Sequence, residues 1–85
     1  MQEKKIDMHL EIITPDKKLF EGEAKALTVP GSEGSLGILN RHAAMIASLK
    51  KGKVKVTTEK EGVKTFDIKG GVVEVLKNKV IVLAE

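Results

Sequence analysis

With 85 residues, the chain has room for one domain and one hydrophobic core. It has no cysteine, which excludes disulfides and thiolate metal sites, and its longest apolar runs, Ala43–Ala47 and Val80–Ala84, are five residues each, where a membrane-spanning helix needs about 20. The formal net charge is +3, but fourteen of the fifteen cations are lysine and the only aromatics are Phe20 and Phe66, so bidentate base readout and base stacking lack their usual side chains.

Met1–Ile6 is charged and has no apolar stretch behind it, so no secretory signal is expected and the protein is expected to stay in the cytoplasm. Alternation with period two begins here. Ile6, Met8, Leu10 and Ile12 share one side, with Asp7, His9 and Glu11 on the other, the pattern of a half-buried strand. Thr14-Pro15-Asp16-Lys17 reads as a turn, with proline presetting φ at its second position. Lys18–Glu21 returns as a short strand, Gly22 breaks or bulges it, and Ala24, Ala26 and Thr28 then alternate against Lys25, Leu27 and Val29.

Gly31–Gly37 is a glycine-rich connection leading into Ile38 and Leu39. Asn40-Arg41-His42 is polar and turn-like, and a strand follows from Ala43 to Leu49. Lys51-Gly52 predicts a hairpin turn into a strand in which Val54 and Val56 alternate with lysines. Lys60-Glu61-Gly62 marks the next turn, and Val63–Lys69 follows with Phe66 and Ile68 on one face. Gly70-Gly71 opens a strand through Leu76, Lys77-Asn78 turns it, and Lys79–Ala84 is the last strand. Short strands punctuated this often predict an all-β sandwich or flattened barrel of about ten strands, and no window shows a helical stripe.

The runs Ala43–Ala47 and Val80–Ala84 are apolar on both faces, whereas a sandwich strand buries only one. Either a loop or strand edge folds over the second face, or that face is an interface. The glycines at 31, 34 and 37 match neither the Walker pattern nor the dinucleotide spacing, because Gly37 leads into a strand and no Gly-Lys-Ser/Thr follows. His9 alternates outward as a solvated residue. His42 has only Ser35, Ser48 and Glu33 nearby in sequence, which is neither a triad nor a ligand set. No catalytic residue, metal site or cofactor is therefore assigned. The basic run Lys50–Lys55 suits a solvated hairpin that resists aggregation, or one that attracts an acidic partner or anionic headgroups.

Several segments resemble one family when taken in order. They are Leu10–Pro15, Phe20-Glu21-Gly22, Pro30–Ile38, His42-Ala43, Leu49–Val54, Gly70–Val75 and Val80–Glu85. Their order and spacing resemble the N-terminal domain of ATP synthase epsilon subunits, whose mitochondrial counterpart is called delta, over nearly the whole chain. The resemblance implies a ten-stranded β-sandwich at the foot of the gamma shaft, resting on the polar loops of the c-ring. It implies a non-catalytic rotor subunit that couples proton flow to ATP synthesis, on the cytoplasmic face of the plasma membrane, with no bilayer insertion and no nucleic acid. Matched position by position, the ring-facing set is Ser32, Glu33, Gly34 and Ser35 with Arg41 and His42. The shaft-facing set is Thr14, Pro15, Met45, Ile46 and Ala47.

The chain departs from the family pattern in three ways. Serine stands at 35 where members often carry an acid. Arg41-His42-Ala43-Ala44 replaces the common Gly-His-Ala-Pro. The sequence ends at Glu85, so the two-helix C-terminal domain, with its inhibition of hydrolysis or ATP binding, is expected to be missing. The residues alone also leave open a small basic β-barrel that binds nucleic acid, whose affinity must fall steeply with salt.

Overall fold

The computed structural model describes residues 8–39 and 43–85. The described chain forms β1 (Met8–Ile13), β2 (Lys18–Ala24), β3 (Ala26–Gly31), β4 (Gly34–Leu39), β5 (Met45–Leu49), β6 (Gly52–Thr58), β7 (Gly62–Ile68), β8 (Gly71–Leu76) and β9 (Lys79–Ala84). That is nine strands where about ten were expected, with no helix among the described residues. Ile6, Asp7 and the expected turn at 40–42 lie outside them.

The strands form one hydrogen-bonded sheet in the order β2-β1-β9-β8-β5-β3-β6-β7, with β4 paired to β3. The sheet curls on itself, so β2-β1-β9-β8-β5 faces β4-β3-β6-β7 across a single core, as a sandwich or flattened half-barrel. Alternation decides what enters that core. Met8, Leu10 and Ile12 of β1 point inward with Val80 and Val82 of β9 and Val73 and Val75 of β8. Leu27, Val29, Ile38, Val54 and Val56 meet them from the opposite layer. The two ends of the sheet approach where Phe20 of β2 and Phe66 of β7 pack edge to face, ring centroids 6.1 Å apart. This quadrupole-matched contact closes the open side of the curl.

The expected turns at Thr14–Lys17 and Lys77-Asn78 are present. The Thr14 amide donates to the Lys17 carbonyl at 2.8 Å, and Thr14 Oγ1 accepts from the Lys17 amide at 3.1 Å. Gly22 does not bulge β2, because it pairs regularly with Leu10. The irregularity falls at Leu19, which has no partner between the pairs Ile12↔Phe20 and Ile13↔Lys18. The extra residue there lets the consecutive Leu19 and Phe20 both pack against the core.

The alternation expected from Ala24 through Val29 also fails, since Ala24, Leu27 and Val29 are all buried. The chain bends at Lys25 and passes from one layer to the other, donating the Lys25 amide to the Thr57 carbonyl at 2.7 Å. The phase of the pleat resets at that crossing. Lys51-Gly52 is a second crossing and not a hairpin turn. β5 pairs with β8 and touches β3 at Gly31↔Leu49, while β6 pairs with β3 and β7. The third crossing, at Lys69-Gly70, is tied to the chain end: the Lys69 amide donates to Glu85 and the Glu85 amide donates to Gly70. The adjoining Gly71 has φ +145, a region open to glycine and strained for other residues. β1 and β9 lie side by side and parallel.

Candidate interaction surfaces

Gly31–Gly37, expected as a glycine-rich connection, holds the tight turn of the β3–β4 hairpin and the first residues of β4. Gly31 pairs with Gly34, leaving Ser32 and Glu33 as the two turn residues. Gly34, which closes the turn, takes φ +133, a conformation that residues with side chains rarely adopt. Ser32, Glu33 and Ser35 are exposed. The hairpin is not a free tip. The Ser32 amide donates to the Ser48 carbonyl at 3.0 Å, the two serine hydroxyls are 3.0 Å apart, and the Lys50 amide donates to the Pro30 carbonyl at 2.9 Å. The hairpin is thereby bolted to β5, and Ser32–Leu36 and Met45–Ser48 line one open concavity. The polar set Ser32, Glu33, Gly34, Ser35 and the strand Met45–Ala47, read from the sequence as belonging to two different faces, are neighbours. Arg41 and His42 lie outside the described residues.

The outer face of the layer β5-β8-β9-β1-β2 carries two cross-strand rows. One runs Ile46, Glu74, Ile81, Glu11, Glu21, and the other Ser48, Val72, Leu83, Ile13, Lys18. At the β5-β8-β9 end these rows are apolar and open. Ile46 is 72% exposed, Leu83 50% and Val72 37%, with Ile13 and Ile81 half-buried beside them. Thr14 and Pro15 close one edge of this patch, lining a shallow depression with Ile13, Val72 and Leu83.

The doubly apolar strands thus resolve into two different faces. Met45 and Ala47 turn inward against the core, and only Ile46 of that trio presents its side chain outward. Along β9, Val80 and Val82 enter the core while Leu83 is exposed. No described loop was found to cap Ile46 or Leu83, whose exposure answers the alternative of a local cover. Val72, Leu83 and Ile13 were not among the expected contact residues. The available signal was the two-faced run Val80–Ala84, extended to its partners once the register was known.

At its β1-β2 end the same face is charged. Lys18 Nζ donates to Glu21 Oε1 at 2.8 Å. That hydrogen bond, with the attraction of the ammonium, holds the Glu21 carboxyl below its usual range and raises Lys18 above its own. On the opposite layer, Lys53 and Lys55 point outward from β6, and Lys53 Nζ donates to Asp67 Oδ1 at 2.8 Å. Glu61, paired with Lys64 Nζ at 2.6 Å, is likewise held low by that bond. Phe20 and Phe66 are half-buried against one another, with Lys64 Nζ over the Phe20 ring at 5.9 Å from its centroid. No described helix is long and apolar enough to cross a membrane.

Residues 7–85 match the family model for the β-sandwich domain of the ATP synthase delta/epsilon chain. An ATP synthase epsilon chain of Sulfurimonas denitrificans is 42% identical over 78 residues, covering 92% of this chain and 60% of that protein. One from Chlorobaculum tepidum is 42% identical over 76 residues, covering 89% of this chain and 86% of that protein. This chain therefore spans about three fifths of the Sulfurimonas relative and most of the Chlorobaculum one. Among solved structures, a chain of the Tetrahymena thermophila mitochondrial ATP synthase central stalk and c-ring superposes with a TM-score of 0.77 at 26% identity, covering 96% of this chain and 66% of that one.

Proposed function

The chain belongs to the ATP synthase delta/epsilon β-sandwich family, and from that premise we propose that it is a non-catalytic central-stalk subunit. In this reading it joins the gamma shaft to the c-ring and couples proton flow to ATP synthesis on the cytoplasmic face of the membrane. The observation that carries it is the pairing of two unlike surfaces on one stiff body. An open apolar patch of Ile46, Val72, Leu83 and Ile13 lies beside Thr14-Pro15, and a polar hairpin at Ser32-Glu33 is hydrogen-bonded to the strand that carries Ile46.

Contiguous exposed apolar surface of this kind favours a protein partner, because covering it removes apolar area from water. The patch meets the shaft, with Thr14, Pro15 and Ile46 as contacts and with Met45 and Ala47 anchoring the strand from the core side. The polar hairpin, Ser32 to Ser35 with Arg41 and His42, meets the polar loops of the ring. Torque passes between the two through β5 and the Ser32–Ser48 bonds, and a close-packed interior resists the deformation that would waste it. The subunit performs no chemistry in this role.

The test is reconstitution. Gamma is immobilised, and ring-containing membranes are stripped of their own epsilon. The chain is expected to be retained by gamma and to restore coupled proton pumping. Ile46→Asp with Leu83→Asp is expected to abolish retention. A wild-type chain that neither binds gamma nor restores pumping sinks the proposal.

A further inference from the structure

His9 and Glu11 are two residues apart on the outward side of β1, and the antiparallel register sets Glu21 of β2 directly opposite Glu11. Alternate residues of a strand share a face, and directly opposed residues carry their Cβ atoms about 4.5–5.5 Å apart. The pleat itself thus brings the three side chains together, with no loop needed to aim them. His9 Nε2 is 3.4 Å from Glu11 Oε2 and 3.8 Å from Glu21 Oε2. One donor atom from each residue lies within 4.8 Å of the other two.

These separations suit one small divalent ion. With metal–ligand bonds of about 2.0–2.2 Å, the donor atoms of a tetrahedral zinc site are about 3.4 Å from one another. Imidazole nitrogen and carboxylate oxygen are both donors that zinc takes, and its three-ligand sites leave the fourth position to water. The Glu21 carboxylate can serve without losing its present partner. Oε1 accepts from Lys18 Nζ at 2.8 Å, while Oε2 is the oxygen turned toward His9. Lys18 therefore orients a ligand from behind, as outer partners do around metal sites. The Glu11 side chain is only 19% exposed, which restricts its freedom to swing away. The other charged groups facing His9 are Glu23, opposite it on β2, and Lys79, opposite it on β9; both are exposed, and Lys79 can extend its ammonium into water.

We propose that His9, Glu11 and Glu21 form a binding site for a borderline divalent transition-metal ion of the zinc class, open to solvent at its remaining position. The ion ties β2, an end strand of the sheet, to β1, so metal binding and stability are linked. The site rests on its own geometry and stands independently of the rotor reading.

The experiment is a calorimetric titration of the 85-residue chain with ZnCl2, repeated with MgCl2 as a hard-cation control, alongside melting curves with and without Zn2+. One Zn2+ per chain, far tighter than Mg2+, and a melting midpoint that rises with Zn2+ are expected. His9→Gln and Glu21→Gln, both at surface positions, are each expected to weaken Zn2+ by about tenfold or more and to remove the rise in midpoint. His42→Gln tests the other histidine, and is expected to leave Zn2+ affinity as it was. Absence of saturable Zn2+ binding overturns the proposal. So does binding that survives both His9→Gln and Glu21→Gln, or that is lost with His42→Gln instead.

Discussion

Ser32 and Ser48, sixteen residues apart in the chain, meet hydroxyl to hydroxyl at 3.0 Å, while the Ser32 amide donates to the Ser48 carbonyl over the same 3.0 Å. One turn residue of a polar hairpin is in this way joined to the strand that presents Ile46. The backbone bond is independent of side-chain identity, whereas the hydroxyl pair is not. Ser48→Ala is expected to cost no more than about 0.5–1 kcal/mol, because the pair is exposed and water replaces it. Urea denaturation checks the size. A loss of several kcal/mol would mean that the hydroxyl bond supports far more than the hairpin.

Gly71 gives a sharper contrast. Its φ is +145 and an added Cβ would collide with the Leu83 carbonyl oxygen on the neighbouring strand. Gly37 has open space where its Cβ would be. Gly71→Ala is expected to destabilise the fold by about 2–4 kcal/mol, from strain plus a disturbed β8–β9 ladder, and Gly37→Ala by less than about 0.5 kcal/mol. Equal midpoints in urea for the two variants would contradict the steric account.

Core and patch positions should separate stability from binding. Leu10 is fully buried and Ile46 is 72% exposed, although both are large aliphatic residues on strands. Leu10→Ala is expected to cost about 2–5 kcal/mol through lost burial and the cavity left behind. Ile46→Lys is expected to change stability by no more than about 0.5 kcal/mol while abolishing retention on gamma. An Ile46→Lys chain that binds gamma as wild type does would remove Ile46 from the interface.

The Lys18–Glu21 pair predicts a pH signature of defined sign. Glu21 titrates below its ordinary value of 4.5 in the folded chain, chiefly because Lys18 hydrogen-bonds to the carboxylate. Its contribution is therefore complete above that ordinary value and disappears as the pH falls through the lowered one. Lys18 titrates above its ordinary 10.5, so its contribution is complete below 10.5 and disappears as the pH rises through the raised value. Glu21→Gln is expected to flatten the acid limb of melting midpoint against pH at low salt. Because both groups are solvated, about 1 M salt should shrink the wild-type slope toward that of the variant. An acid limb unchanged by Glu21→Gln would show that other carboxylates set it.

Much of this protein was decided by residues close together in sequence. The alternation Met8, Leu10, Ile12 set which side of β1 enters the core, because successive side chains of a strand must point oppositely. Thr14-Pro15-Asp16-Lys17 and Lys77-Asn78 determined their turns through local φ preferences and a Thr14 side chain that bonds the Lys17 backbone. The ordered motifs from Leu10 to Glu85 also carried the family, which the match over residues 7–85 bears out. Strand partnership was a different matter, since a backbone amide donates to any carbonyl that the fold delivers to it. Lys51-Gly52 has the composition of a hairpin, yet β5 pairs with β8 and β6 with β3 and β7. Lys25 lies inside an apparently regular alternation, yet the chain changes layers there and the pleat resets. Only the tertiary register could turn Met45 and Ala47 into the core while leaving Ile46 beside Val72 and Leu83. The same register set Glu11 across from Glu21, with His9 two residues away on the same face of β1. Which face a residue occupies is a property of one strand, whereas what it meets there depends on strands many residues away.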